Sequence, residues 1–522
     1  MIFRQALAAA LPITFGVTLA LGPAQPGFGG EGSANAHRIV NACIQAEGGA
    51  KLLAALQTVE YQGTLTAPDG KATGTYTLIL KQPNRLYREV TVGAVTVREA
   101  YNGKSAWRQD AAGLRTLTGA EGTRLEWEAD YRNDRLLHYR QQKVRLVPLG
   151  SKTVRGHTAE RLEATTTAGV KREIAIDDAS HLVLEEVIPS SGHEAAHEAG
   201  RDPGKNEERV FYDDYRTVDG IAEPYRMEFA APGHQWVVAM TRVSHNQPVS
   251  DAVFAFPASA GRPLPDIPEL LRSVESHQKE IEKLVEQYTC DKTSEEFEVD
   301  SHGATKSRSV KEYEVFYLDG DEVDRLVKKD GKDLSPAEQQ KENEHIQKAV
   351  RDYEKRHAKE AKQGADEPKR QRDDVTVSDF LRIDHFTNPR REVFRGHEVI
   401  VFDFEPNPGY KPANTTERLL HDVSGAVWID EQAADVVRLE AYLNNPFKMG
   451  GGLFASVQKG SAFVFEQAKI NDEVWLPSYL EAHVNARLLL FKGLSGNFTQ
   501  RYSNYQKFRV ETVSKPGVKS NP

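Results

Sequence analysis

Apolar and polar residues alternate along much of this chain with the period of a β-strand. In the first half the runs Tyr76-Thr77-Leu78-Ile79-Leu80, Val95-Thr96-Val97-Arg98, Arg209-Val210-Phe211-Tyr212 and Trp236-Val237-Val238-Ala239-Met240 are rich in β-branched and aromatic residues and lie between turn signals. In the second half Glu314 to Leu318 and Ala462 to Phe465 read the same way. A helical period opens each half, at Ile39, Cys43, Leu52, Leu53 and Leu56, and again at Leu270, Leu271, Val274, Ile281, Leu284 and Val285. One further helical stretch interrupts the strands of each half, Glu121 to Tyr139 and Val375 to Phe386. These elements predict an α+β protein, mainly antiparallel β, in which a few helices cover a sheet.

The two halves match in order. Arg155-Gly156-His157 answers to Arg395-Gly396-His397, and Ile174-Ala175-Ile176-Asp177-Asp178 to Val427-Trp428-Ile429-Asp430-Glu431. Asp219-Gly220 leading to Pro224-Tyr225 answers to Asn471-Asp472 leading to Pro477-Ser478-Tyr479. Three ordered matches point to two copies of one unit. Linker composition at Gly261-Arg262-Pro263-Leu264-Pro265 places the join at residues 258–268. The expected domains are then 37–257 and 269–515, with 516–522 as a disordered tail. The second carries an insertion at 329–374, low in apolar residues, where Glu344 with Lys348 and Asp352 with Arg356 fit helical spacing. It reads as a solvated helix, the alternative being an arm that docks a partner.

Arg4 stands before the uncharged, mostly apolar run Ala6 to Leu21, which Pro12 breaks short of a bilayer span. That layout predicts a cleaved signal peptide, with residues 1–36 as signal and flexible mature start. Cuts suit Gly22-Pro23-Ala24 or Ala34-Asn35-Ala36, and the first cysteine, Cys43, lies too far downstream for a lipid-modified start. With two cysteines in 522 residues, Cys43 and Cys290, stability must come from buried cores; one bridge or two buried thiols are both open. A net charge of −9 offers no basic field for a phosphate backbone and argues against nucleic acid as a ligand.

Several segments together resemble the periplasmic lipoprotein carriers, the LolA and LolB superfamily, and the related sigma-E regulator family of RseB. They are Gly48-Gly49-Ala50-Lys51-Leu52-Leu53 leading to Tyr61-Gln62-Gly63-Thr64, Leu182-Val183-Leu184-Glu185, and the hairpin Phe211-Tyr212-Asp213-Asp214 through Asp219-Gly220 to Pro224-Tyr225. In the second half Phe465-Glu466-Gln467, Ile470-Asn471-Asp472-Glu473 and Trp475-Leu476-Pro477-Ser478-Tyr479 carry the likeness. The resemblance implies a half-open barrel with helices over its mouth, with no catalysis or cofactor, and the internal repeat makes this two tandem half-open barrels; the signal layout implies a soluble periplasmic protein. Its partners would be lipid or lipoprotein acyl chains, with transient membrane contact and an envelope protein as a further partner. The alternative within the same fold is an RseB-like sensor that docks a signalling protein.

Large apolar residues in the strands of both halves are more than one packed face needs, so some are expected to line a lumen. The candidates are Tyr76, Leu78, Leu80 and Phe229 in the first domain and Val399, Val401 and Trp428 in the second. Trp127, Leu136 and Leu137 are expected to face inward from a lid helix, as is the stretch from Val375. Phe447, Met449, Leu453 and Phe454 flank the hairpin tip Gly450-Gly451-Gly452 and suit a membrane or cargo contact. Leu488-Leu489-Leu490-Phe491, apolar on both faces, reads as a covered strand. One stretch spells an enzyme: His193-Glu194-Ala195-Ala196-His197 fits H-E-x-x-H, the helical zinc-peptidase motif. Against it, Pro203 stands where the extended motif wants a third histidine, and flanking Pro and Gly leave room for at most two helical turns. His193 and His197 are accordingly weak metal candidates on a polar loop.

Overall fold

A computed structural model describes residues 31–166, 170–189, 207–231, 234–257, 262–299, 305–318, 321–363, 380, 382–445, 447–449, 455–457, 461–488 and 491–507. The chain divides into two compact units, one spanning Val17–Ser259 and the other running from Ala260 to Pro522. Each is built on one large antiparallel sheet, and no helix among the described residues is long and apolar enough to cross a membrane.

The first unit opens with α1 (Glu31–Ala46) and α2 (Ala50–Ala54). Six strands follow: β1 (Thr58–Thr66), β2 (Thr73–Lys81), β3 (Arg85–Val92), β4 (Val95–Tyr101), β5 (Ala106–Asp110) and β6 (Gly113–Leu117). After α3 (Gly119–Asp134) come β7 (Arg145–Val154), β8 (His157–Thr165), β9 (Lys171–Asp177), β10 (Val183–Pro189), β11 (Glu207–Val218), β12 (Ile221–Ala231) and β13 (His234–His245). Hydrogen bonding joins them in the order β6-β5-β4-β3-β2-β1-β13-β12-β11-β10-β9-β8-β7, leaving β6 and β7 as open edges. Flat, β3 and β9 would stand about 34 Å apart, at ~4.8 Å for each of the strand spacings between them. Yet neighbouring residues of one helix touch both: Glu128 of α3 accepts from Arg88 Nη1 of β3 at 3.0 Å, and Trp127 lies 4.4 Å from the Arg172 guanidinium of β9. The sheet is therefore rolled around α3 into a half-open barrel. α1 enters the same core through Ala36, Ile39, Val40, Cys43 and Ile44, so ordered structure reaches back past residue 37.

The second unit begins with α4 (Ile267–Val285), whose N-cap Asp266 accepts from the Glu269 amide at 2.9 Å. Ile267, inside the range read as linker, is already core. Then come β14 (Tyr288–Val299), β15 (Thr305–Leu318), β16 (Asp321–Lys329) and β17 (Lys332–Asp333). α5 (Pro336–Gln363) follows, the charged helix expected within 329–374. After it lie β18 (Asp384–Phe394), β19 (His397–Pro406), α6 (Thr415–His421), β20 (Val423–Asp430), β21 (Asp435–Leu443), β22 (Phe447–Met449), β23 (Ala455–Val457), β24 (Ala462–Ile470), β25 (Val474–Leu488) and β26 (Phe491–Lys507). The order β17-β16-β15-β14-β26-β25-β24-β21-β20-β19-β18 winds as in the first unit, the strand after the opening helix pairing with the last strand of its unit. The β22–β23 hairpin sits off this path, on β25.

Three elements differ from the sequence expectation, one being the helical stretch expected over Val375 to Phe386, of which Asp384–Phe386 begin β18. The helix expected over Glu121–Tyr139 stops at Asp134, because Arg135 and Leu136 take left-handed backbone, with φ 48° and 60°. The run Leu488 to Phe491 is not one covered strand: β25 ends at Leu488, β26 starts at Phe491, and these two residues pair across a hairpin. Both cysteines are buried free thiols.

Candidate functional site

Residues directly paired in an antiparallel sheet share a face, so register maps the inner wall of the first barrel. Tyr76 pairs with Val90, Leu78 with Arg88 and Leu80 with Leu86; on the far side of β1, Val238 pairs with Leu65 and Met227 with Val238. The candidates Tyr76, Leu78, Leu80, Trp127 and Leu136 are all buried in this one core, and Leu137 and Phe229 pack against it half-buried. Tyr76 and Phe229 meet ring to ring at 6.1 Å, joining β2 to β12.

The wall is not uniformly apolar. Arg88 of β3 donates to Glu99 at 2.6 Å and to Glu128 of α3, while Glu99 also pairs with Arg108 at 2.8 Å. Arg132, one turn along α3, donates to Glu128 at 2.8 Å and to the Tyr212 hydroxyl at 3.3 Å. Arg172, fully buried, donates to Glu186 and lies against the rings of Trp127 and Tyr131, the latter at 4.6 Å. Burial pushes the Glu128 carboxyl up, but Arg88, Arg132 and Arg172 outweigh it and hold the group well below the usual carboxylate range. The ions thus bind the helix to both halves of the sheet.

A second cluster lies where α3 ends. The left-handed turn at Arg135 carries its guanidinium to Glu223 at 2.6 Å and to the Tyr61 hydroxyl at 3.1 Å, and Tyr61 in turn donates to Glu223 at 2.6 Å. His245 Nε2 stands 3.0 Å from the same carboxylate. Burial raises Glu47, 3.7 Å from Arg135, to about 7, so one carboxyl of this group titrates near neutrality. These interior charges are not among the apolar positions that strand alternation marks. Their signal was the charged residue inside an alternating run, such as Arg172 two and four places before Ile174 and Ile176.

In the second barrel the candidates fall on the other side of the sheet from the helix. Val401 pairs with Trp428, and these two form a cluster with Val399, Ala426, Val437 and Trp475. The residues that meet α4 are the alternates, Ile400, Phe402, Phe404, Val427 and Ile429, together with Phe380. Val399, Val401 and Trp428 are therefore not beneath the opening helix. Of the expected lid from Val375, residues 375–379 and 381 lie outside the described residues, Phe380 packs in the core, and Asp384–Phe386 begin β18. His193 and His197 also lie outside the described residues, as do Gly450–Phe454. Among the described residues no group of three or more His, Cys, Asp or Glu is placed to hold a metal ion.

The fold defines a protein of two unclosed antiparallel half-barrels, each with a helix packed on one face. No protein-family model matches the chain. No curated protein matches it. Solved structures similar to it include a DUF1329 family protein from Desulfovibrio piger, 16% identical over 42% of this chain and 96% of that one, with a TM-score of 0.30. A LolA superfamily protein from Nitrosomonas europaea is 13% identical over 42% of this chain and 97% of that one, with a TM-score of 0.29. MucB from the MucA/MucB complex of Pseudomonas aeruginosa is 9% identical over 90% of this chain and 94% of that one, with a TM-score of 0.17.

Proposed function

We propose that this chain is an exported binding protein that holds the apolar part of an amphiphile, a lipid or a lipoprotein acyl chain, and acts as a carrier without catalysis. The observation that supports this is a band of inward apolar residues at one end of the first barrel. Val90 and Val92 pair with Val97 and Val95, and Phe229 with Trp236, all on the face that carries Tyr76. Val90, Val92, Phe229 and Trp236 are only half-buried, and Val95 is 55% exposed. Apolar side chains that point into a barrel and still meet water gain from an acyl chain laid over them, at about 25 cal/mol for each Å² removed from solvent.

The experiment is titration of the full chain with a fluorescent long-chain fatty acid, comparing wild type with Val92→Asp and Phe229→Asp. Saturable binding, weakened at least about tenfold in both variants while circular dichroism is unchanged, is the expected result. Absence of saturable binding by the wild type removes the carrier reading.

Export carries its own expectation. A cut after Ala36 would remove α1 from Glu31 through the fully buried Ala36, whereas a cut after Ala24 leaves α1 intact. Mass spectrometry of protein released by osmotic shock is expected to find Gln25 at the amino terminus. Retention of Met1 would overturn the export reading.

A further inference from the structure

We propose that the second barrel takes, against Asp384, the protonated amino end of an amphiphile whose chain lies along its phenylalanine cluster; this rests on the binding reading above and names the chemistry of one ligand end. Asp384, at the start of β18, is 5% exposed, and neither carboxyl oxygen has a hydrogen-bond partner among the described residues. By alternation it shares a face with Phe386, two residues on. Phe386 meets Phe380 at a tilt, with ring centroids 5.3 Å apart, and Phe402 edge to face at 5.4 Å, while Phe380 meets Phe404 edge to face at 4.9 Å. The residue paired with Asp384 across the ladder is Pro406, which brings no amide hydrogen.

The fold does not require a carboxyl here. Counted back from the matching Arg155-Gly156-His157 and Arg395-Gly396-His397, Asp384 falls opposite Val144, which packs apolar against the first core. An unpaired buried carboxyl is costly, so its presence in place of valine calls for a partner that brings the opposite charge. A carboxylate on the strand face of an aromatic cluster suits an ammonium group, which gains a counter-ion there and can gain cation–π contact with the rings.

Among the described residues the neighbouring charges are paired or face solvent. Arg382 pairs with Glu417 of α6 at 3.2 Å, exposed His385 lies 3.9 Å from Glu405, and His421 Nε2 stands 3.0 Å from the Asn407 carbonyl. On α4, Glu269 and Arg272 are exposed. Burial alone raises the Asp384 carboxyl to about 8. At neutral pH an arriving alkylammonium therefore keeps its own proton, and the carboxyl releases its proton to solvent as the ion pair forms. Affinity must then rise with pH, close to tenfold per unit below about pH 8.

The test is calorimetric titration of the full chain with decylammonium, decanol and decanoate at pH 6 and pH 7, in wild type, Asp384→Asn and Asp384→Val. Expected is one Asp384-dependent decylammonium site, about tenfold tighter at pH 7, losing both its pH slope and at least tenfold in affinity in the two variants while decanol binding persists. Decylammonium binding that is independent of pH, or unchanged in the variants, overturns the proposal and leaves the binding reading standing where decanol binds. If none of the three ligands binds, both fall.

Discussion

Replacing Arg172 with leucine is expected to cost the folded protein about 3 to 5 kcal/mol, the largest loss of any single substitution considered. Arg172 has no exposed surface and its carboxylate partner Glu186 is 3% exposed, so removal of the cation strands a buried charge in the wall of the first barrel. The rings of Trp127 and Tyr131 lose their cation in the same step, and with it α3 loses this contact to β9. Chemical denaturation measures the loss, and hydrogen exchange is expected to report it first at α3. Replacing both partners, as Arg172→Leu with Glu186→Leu, is expected to restore most of the stability, since two apolar side chains of similar size can fill the site without a desolvation cost. A double variant as unstable as the single one would mean that the pair is not what secures the helix.

Replacing Asp384 with valine should do the opposite and stabilise the protein. The folded-state value of about 8 lies above the ordinary 3.8, so the folded form favours the protonated carboxyl. The associated stability is fully present below about pH 4 and is lost as pH rises through 8. At pH 7.5 the wild type therefore carries a burden on the order of 5 kcal/mol that Asp384→Val lacks, at 1.36 kcal/mol for each unit of displacement. Glu47 and Asp435, both raised to about 7 by burial, pull in the same direction. The informative measurement is accordingly the difference in unfolding free energy between variant and wild type, followed from pH 4 to pH 8. A difference that stays flat across this range would show that Asp384 is ionised in the folded protein.

Local pattern was enough to place most of the strands and helices, though not all of their ends, because it depends on residues a few positions apart. Period two put Tyr76, Leu78 and Leu80 on one face, the turn at Asp219-Gly220 was visible between two β-branched runs, and the charged spacing over 329–374 foretold α5. The same period says which residues share a face and nothing about which face a helix will cover. Ile400 and Val401 are both fully buried; only the docking of α4 distinguishes the face of Ile400 from that of Val401. The charged interior was beyond local reading for a related reason. Arg88 and Glu128 stand on a strand and a helix far apart in the chain, and Arg172 reaches Trp127 only because the sheet rolls up around α3. The left-handed turn at Arg135, which ends the helix early, likewise carries its guanidinium to Glu223 and Tyr61 across the barrel, partners that local spacing does not show. Strand and helix identity follows from short-range sterics and amphipathic spacing, whereas the choice of inner face and the pairing of buried ions are settled by contacts that exist only once the sheet has closed on its helix.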